Sequence, residues 1–237
     1  MCEFPWMVYL FRDPSPCGAS IIDSRHLVTA AHCVHNIKKN QLRIVIGEHR
    51  RSVWVQSAEY EVYNYRVFVH PQYVPKYYTE TGTANDIAII KLSQEINWSR
   101  YKCLKPICLP ESWRRFRSTT CTVTGWGIVS PVINFLRPPL ADVLQKVTVD
   151  IVEDRVCANI FTRDWFKSTN YCAGYLQGGR DSCGGDSGGP LQCRVNGKWI
   201  LAGLVSTGSG CGERGKAAIY TDVAKYRTFI DQIRRIY

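Results

Sequence analysis

No stretch of about 18 consecutive apolar residues occurs in this 237-residue chain, which excludes a membrane-spanning helix. A basic leader with an apolar core is missing too, because Met1 is followed at once by Cys2-Glu3-Phe4-Pro5. Neither a Cys-x-x-Cys pair nor a histidine-rich tract supplies metal-ligand spacing. No segment repeats at a period of roughly 20–50 residues, which removes solenoids and propellers. Acidic residues are scarce: 20 of them face 30 lysines and arginines, for a net charge of +10. The excess cations gather at Lys38-Lys39, Arg50-Arg51, Arg114-Arg115-Phe116-Arg117 and Arg234-Arg235. Such patches can steer polyanions, although most are solvated faces. No helix-turn-helix or RNA-binding signature accompanies them, so neither nucleic acid nor a membrane is an expected partner.

What is present points to an extracellular β protein. Eleven cysteines in a chain of this size fit an oxidising compartment, and the odd number points to a partner outside the sequence. Asn97-Trp98-Ser99 is an N-glycosylation triplet, meaningful on a secreted chain. Short runs rich in Val, Ile and aromatic residues predict strands at 6–11, 20–22, 43–46, 62–69, 88–92, 121–126, 144–151, 199–206 and 219–221. At the end, Val223, Tyr226, Phe229, Ile230, Ile233 and Ile236 recur in steps of three and four with charges between them. That is the pattern of an amphipathic helix, expected to dock on the second half of the molecule.

The chemistry lies in three fragments. Gly184-Gly185-Asp186-Ser187-Gly188-Gly189-Pro190 crowds one serine with glycines, so backbone amides can approach a substrate unobstructed. Two amides converging beside a hydroxyl form an oxyanion trap for acyl transfer. A serine hydroxyl is a weak nucleophile and needs a neighbouring base. His32, in Thr29-Ala30-Ala31-His32-Cys33, is the candidate, since imidazole suits proton transfer near neutral pH. Asp86, in Asn85-Asp86-Ile87-Ala88, is the carboxylate that would fix the imidazole tautomer. With these residues in the order His, Asp, Ser, the chain resembles the trypsin/chymotrypsin family of serine proteases over nearly its whole length. Phe4-Pro5-Trp6-Met7, Ala84-Asn85-Asp86-Ile87-Ala88 and Pro106-Ile107-Cys108-Leu109-Pro110 look most like arthropod clip-domain or venom-type members.

The resemblance implies an all-β fold, one peptidase domain over 1–237 built from two packed six-stranded antiparallel β-barrels and the C-terminal helix. The first barrel would span about 1–105, the crossover about 100–117, and the second barrel with its helix about 118–237. His32, Asp86 and Ser187 would be catalytic, and the amides of Gly185 and Ser187 would form the oxyanion hole. Asp181 would floor a pocket selecting arginine or lysine, because a buried carboxylate is costly until a cation pairs with it. Ser182, Ser206, Gly208 and Ala218 would complete substrate binding. The implied disulfides are Cys17–Cys33, Cys121–Cys193, Cys157–Cys172 and Cys183–Cys211. Of the cysteines left over, Cys2 and Cys103 make a candidate internal pair, and Cys108 matches a position that bonds to a segment upstream of the domain. Protein substrates and inhibitors of serpin or Kunitz type are the implied partners; no cofactor is expected.

Several departures qualify the resemblance. Ala218 falls where trypsin-like pockets usually have glycine, Thr207 replaces a tryptophan, and Gly184 stands where a longer side chain lids the pocket. These predict arginine- or lysine-directed cleavage that is narrower and slower than a digestive trypsin's. The Ile-Val-Gly-Gly segment whose freed amine would pair with Asp186 is missing. The expectation is therefore a secreted proenzyme, of which this sequence is a piece with a zymogen-like, inactive oxyanion loop. Glu48 matches the start of the family's calcium loop, but Arg50 and Val55 stand where oxygen ligands belong, so no structural metal is expected. A rival expectation is a non-catalytic homologue acting as a scaffold; such proteins typically lose a triad residue.

Overall fold

The computed structural model describes residues 3–53, 59–75, 84–129, 139–161 and 166–236, whose strands fall into two antiparallel sheets. The first holds β1 (Met7–Phe11), β2 (Cys17–Ile21), β3 (His26–Thr29), β4 (Arg43–Ile46), β5 (Tyr60–Val62), β6 (Tyr65–Val69) and β7 (Ala88–Leu92). Their spatial order is β5-β4-β1-β2-β3-β7-β6. The two outermost strands are consecutive in sequence, separated by Tyr63 and Asn64 alone. Three residue steps cover at most about 10 Å, so the sheet must curl until its edges meet at that corner. The strand expected at 62–69 is thus two short strands, and seven elements stand where a six-stranded barrel was expected.

The second sheet is a closed barrel of β8 (Thr120–Gly125), β9 (Gln145–Ile151), β10 (Asn170–Gly174), β11 (Pro190–Val195), β12 (Lys198–Gly208) and β13 (Ala218–Asp222). Along β9 the alternation is visible, with Val149 and Ile151 inside and Thr148 and Asp150 outside. Elsewhere it is not. All residues of β3 and β10 are buried, so no period of two marks them. β11 opens on Pro190, a residue that weakens a strand reading from sequence. These three strands and the seven-residue helix α1 (Asp154–Ile160) went unpredicted.

The barrels meet through the crossover. Ile107 N donates to Ile21 O in the first barrel, and the next residue, Cys108, accepts from Leu201 N in the second. The C-terminal helix α2 (Arg227–Ile236) corrects one expectation. It follows β13, but Ile230 and Ile233 join the core cluster that holds the first barrel's Ile21, Leu27 and Ile90. Phe229 packs edge-on against His70 at 4.9 Å between ring centroids, and Arg234 Nε bonds Asp23 at 2.7 Å. A 3-10 turn over Val223–Tyr226, capped by Asp222, redirects the chain so that the apolar face meets the first barrel.

Candidate active site

Adjacent strands of the first barrel deliver His32 and Asp86. β3 and β7 pair in the register Thr29↔Ala88, and His32 lies three residues beyond the end of β3, in a 3-10 turn over Ala31–Cys33. Asp86 lies two residues before β7. His32 Nδ1 donates to Asp86 Oδ2 at 2.7 Å, and the His32 amide donates to Oδ1 at 2.9 Å. Ser206 Oγ reaches across from β12 to the same Oδ2 at 2.6 Å, and Thr221 Oγ1 of β13 donates to the Asp86 carbonyl at 3.0 Å. Burial pushes the Asp86 carboxyl up, but the His32 imidazole, Ser206 and the His32 amide together hold it below the ordinary carboxylate value. The carboxylate therefore stays charged while wholly enclosed.

Ser187 sits on the tight turn before β11, pinned from both barrels. Its carbonyl accepts from Gly18 N at 2.7 Å, and the Gly188 amide bonds Val205 O on β12 at 2.8 Å. Gly188 has φ +74°, and a Cβ there would strike Thr29 Oγ1, so the strand bearing the histidine touches the serine turn directly. Gly185, at φ +97°, likewise needs glycine. The amides of Gly185 and Ser187 donate to no acceptor among the described residues. No hydrogen bond joins Ser187 to His32 among the described residues; His32 Nε2 has the Cys33 sulfur at 3.7 Å. Such contacts are often long without substrate.

Asp181 and Asp186 share a different electrostatic fate. Asp181 accepts from the amides of Ser182 at 2.9 Å and Gly212 at 3.1 Å. Burial nevertheless pushes it up to about 6, the two amides opposing and the nearby Asp186 charge adding. Asp186 accepts from Gly127 N at 2.8 Å and Cys183 N at 2.9 Å, and burial raises it as well. Neither has a cationic partner among the described residues. A cavity of about 240 Å³, lined by Gly125, Gly127, Ile128, Lys146, Asp181 and Asp186 among others, opens on both carboxylates. Ser182 Oγ bonds Tyr220 Oη at 2.9 Å, and Ala218 is buried on β13 opposite Gly208 of β12.

Disulfides tie these parts together. Cys17–Cys33 links the base of β2 to the histidine turn, and Cys183–Cys211 ties the Asp181 loop to the wall carrying Gly212. Cys121–Cys193 and Cys157–Cys172 staple the second barrel. Cys103 is disulfide-bonded, Cys2 lies outside the described residues, and Cys108 is free and exposed. Asn97 is exposed on a turn, its side chain accepting from Arg100 N. Cys17, His32 and Cys33 cluster like metal ligands, but both sulfurs are in a disulfide and offer no thiolate. Glu48 hydrogen-bonds Glu59 and is pushed up to about 7 by burial and by that neighbour; Val55 lies outside the described residues. Among the described residues no helix is long and apolar enough to cross a membrane.

Part of the cationic excess is internally paired. Arg115 bridges Asp154 and the buried Asp222, and Arg234 bonds Asp23. The residues missed from sequence are mostly backbone donors or buried hydroxyls: Gly127, Gly212, Thr221 and Tyr220. The glycines flanking Trp126 were the one visible signal, since a Cβ at Gly125 or Gly127 would strike the Asp186 carboxylate.

Residues 1–230 match the Trypsin family model. Over 234 residues the chain is 34% identical to coagulation factor XI of Bos taurus, covering 96% of this chain and 35% of that relative. Over 241 residues it is 35% identical to serine proteinase stubble of Drosophila melanogaster, covering 96% of this chain and 29% of that relative. The chain thus spans about a third of the length of these curated relatives.

Proposed function

This chain belongs to the trypsin family of serine proteases, and on that premise we propose that it is a secreted endopeptidase cleaving after arginine or lysine. The observation that carries the reading is the His32–Asp86–Ser206 network beside a serine turn with two free amides. Asp86 holds the proton of His32 on Nδ1, which leaves Nε2 to take the Ser187 proton. The serine oxygen then attacks the scissile carbonyl, and the developing oxyanion receives the Gly185 and Ser187 amides. His32 returns the proton to the leaving amine, and a water repeats the sequence to release the acyl group.

Asp181 supplies the preference. Its elevated protonation equilibrium reflects a charge that lacks a partner, and a guanidinium or ammonium would provide one. Ala218, buried on β13 opposite Gly208, would narrow that pocket by one methyl. Asp186 would be served by the ammonium of a freshly cut chain end, which supports regulation as a zymogen: its carboxylate is tied to two amides and faces the 240 Å³ cavity. The exposed thiol of Cys108 suits a disulfide to a segment outside the domain.

The test is to produce the chain behind a cleavable propeptide followed by Ile-Val-Gly-Gly, activate it, and titrate it with a fluorophosphonate probe and peptides ending in arginine, lysine or phenylalanine. Labelling lost in Ser187→Ala, with turnover after arginine or lysine, is the expected result. A folded, processed protein that neither labels nor cleaves would sink the proposal.

A further inference from the structure

Arg12 opens the loop between β1 and β2, the residues 12–16 that end at the Cys17–Cys33 disulfide. The loop lies against the serine turn: Pro16 Cγ is 3.6 Å from where a Cβ on Gly185 would stand, and Gly18 N holds the Ser187 carbonyl. The β12 edge at Ser206–Gly208 flanks the turn from the other barrel. A substrate strand paired with that edge up to its scissile bond must continue past the 12–16 loop. Arg12 is half-buried there, and its Nη1 donates to the carbonyl of His32 itself at 2.8 Å.

That single bond is its only polar contact among the described residues, and no carboxylate pairs with it. Its Nε is buried without an acceptor, so one edge of the guanidinium is unsatisfied. Nε is sealed inside the protein, so a ligand meets the guanidinium at Nη2, which has no partner among the described residues. A cation without a counter-charge there draws a carboxylate through a charge-assisted bond. We infer that Arg12 is a specificity-determining cation for the leaving side of the substrate, selecting aspartate or glutamate within two residues after the cleaved bond. The inference rests on the protease reading above and extends it to the other half of the cleft.

Quenched peptides identical up to the scissile arginine, with glutamate, glutamine or lysine at the first or second residue beyond it, test this on the activated enzyme. An arginine anilide, which has no residue beyond the bond, is read alongside. The wild type should favour glutamate over lysine by about tenfold in kcat/KM at one of the two positions, as expected for one well-placed charge pair. Arg12→Gln should compress that ratio to within about twofold, and Arg12→Glu should invert it. Because the readout is a ratio, a general loss of activity from loosening His32 cancels. Anilide turnover with a wild-type ratio near one, or variants that slow all peptides equally, would overturn the role of Arg12 alone. Silence on every substrate, the anilide included, would overturn the protease reading with it.

Discussion

Asp86 and Asp181 are both enclosed carboxylates of the cleft, one from each barrel, yet they are held in opposite ways. Asp86 takes His32 Nδ1, the His32 amide and Ser206 Oγ, and its proton affinity falls in spite of complete burial. Asp181 takes two neutral amides and its proton affinity rises, to about 6. The cost of leaving water acts on both; what differs is whether a group able to carry positive charge stands beside the oxygens. The first site is internally complete, which suits the orienting role proposed for it. The second lacks a counter-charge among the described residues, and in the function proposed above a bound cation would complete it, turning that deficit into selectivity. Asp186, raised by burial and tied only to amides, belongs with Asp181.

The largest test of this contrast is Asp86→Asn, which keeps the shape and removes the charge and the tautomer control. We expect kcat for an arginine substrate to fall by about 10⁴-fold with KM little changed; a loss confined to KM would put Asp86 on the binding side. Asp181→Ser should do the converse, lowering kcat/KM after arginine and lysine by about 10³-fold while sparing any turnover after phenylalanine. Steady-state kinetics on matched peptides decides between them.

A third, smaller effect is pH-dependent. Asp181 must be ionised to pair with arginine, so the ratio of kcat/KM for arginine over phenylalanine peptides should fall by about tenfold per unit once the pH drops below about 6. Taking the ratio cancels any pH dependence of the chemical steps common to both substrates. The same shift acts on stability with a defined sign. The folded carboxyl, at about 6 against an ordinary 3.8, binds its proton more tightly than the unfolded one. Its contribution is therefore full below about pH 4 and is lost as the pH rises to about 6, which denaturant midpoints of the wild type and Asp181→Asn would reveal. Smallest of all, Ala218→Gly should raise turnover after arginine by up to about tenfold, the scale of one methyl in a pocket.

Much of this was legible in the residues. Ser187 among its glycines, His32 after Ala30-Ala31, and Asp86 before an apolar run each carry local signals, and the amphipathic spacing of 223–236 announced α2. The failures share a cause. β3 and β10 are buried on both faces and so lack the alternation that marks a strand; β6 and β5 are separated by a bend that composition does not flag. The partner of α2 is a tertiary choice, invisible to periodicity, which reports only that one face is apolar. Thr221 on Asp86 and Tyr220 on Ser182 join residues more than 35 positions apart through side chains common in any strand.

The Thr29↔Ala88 register has one further bearing, on how such a domain tolerates change. His32 and Asp86 hang from the same end of one hydrogen-bonded strand pair, so the ladder acts as their length standard. Segments outside the ladder and its two short extensions, 26–32 and 86–91, can lengthen or shorten without altering the gap between the two side chains. A single residue inserted inside either short span has no such freedom, because one step along a strand is about 3.3 Å and turns the side chain to the other face.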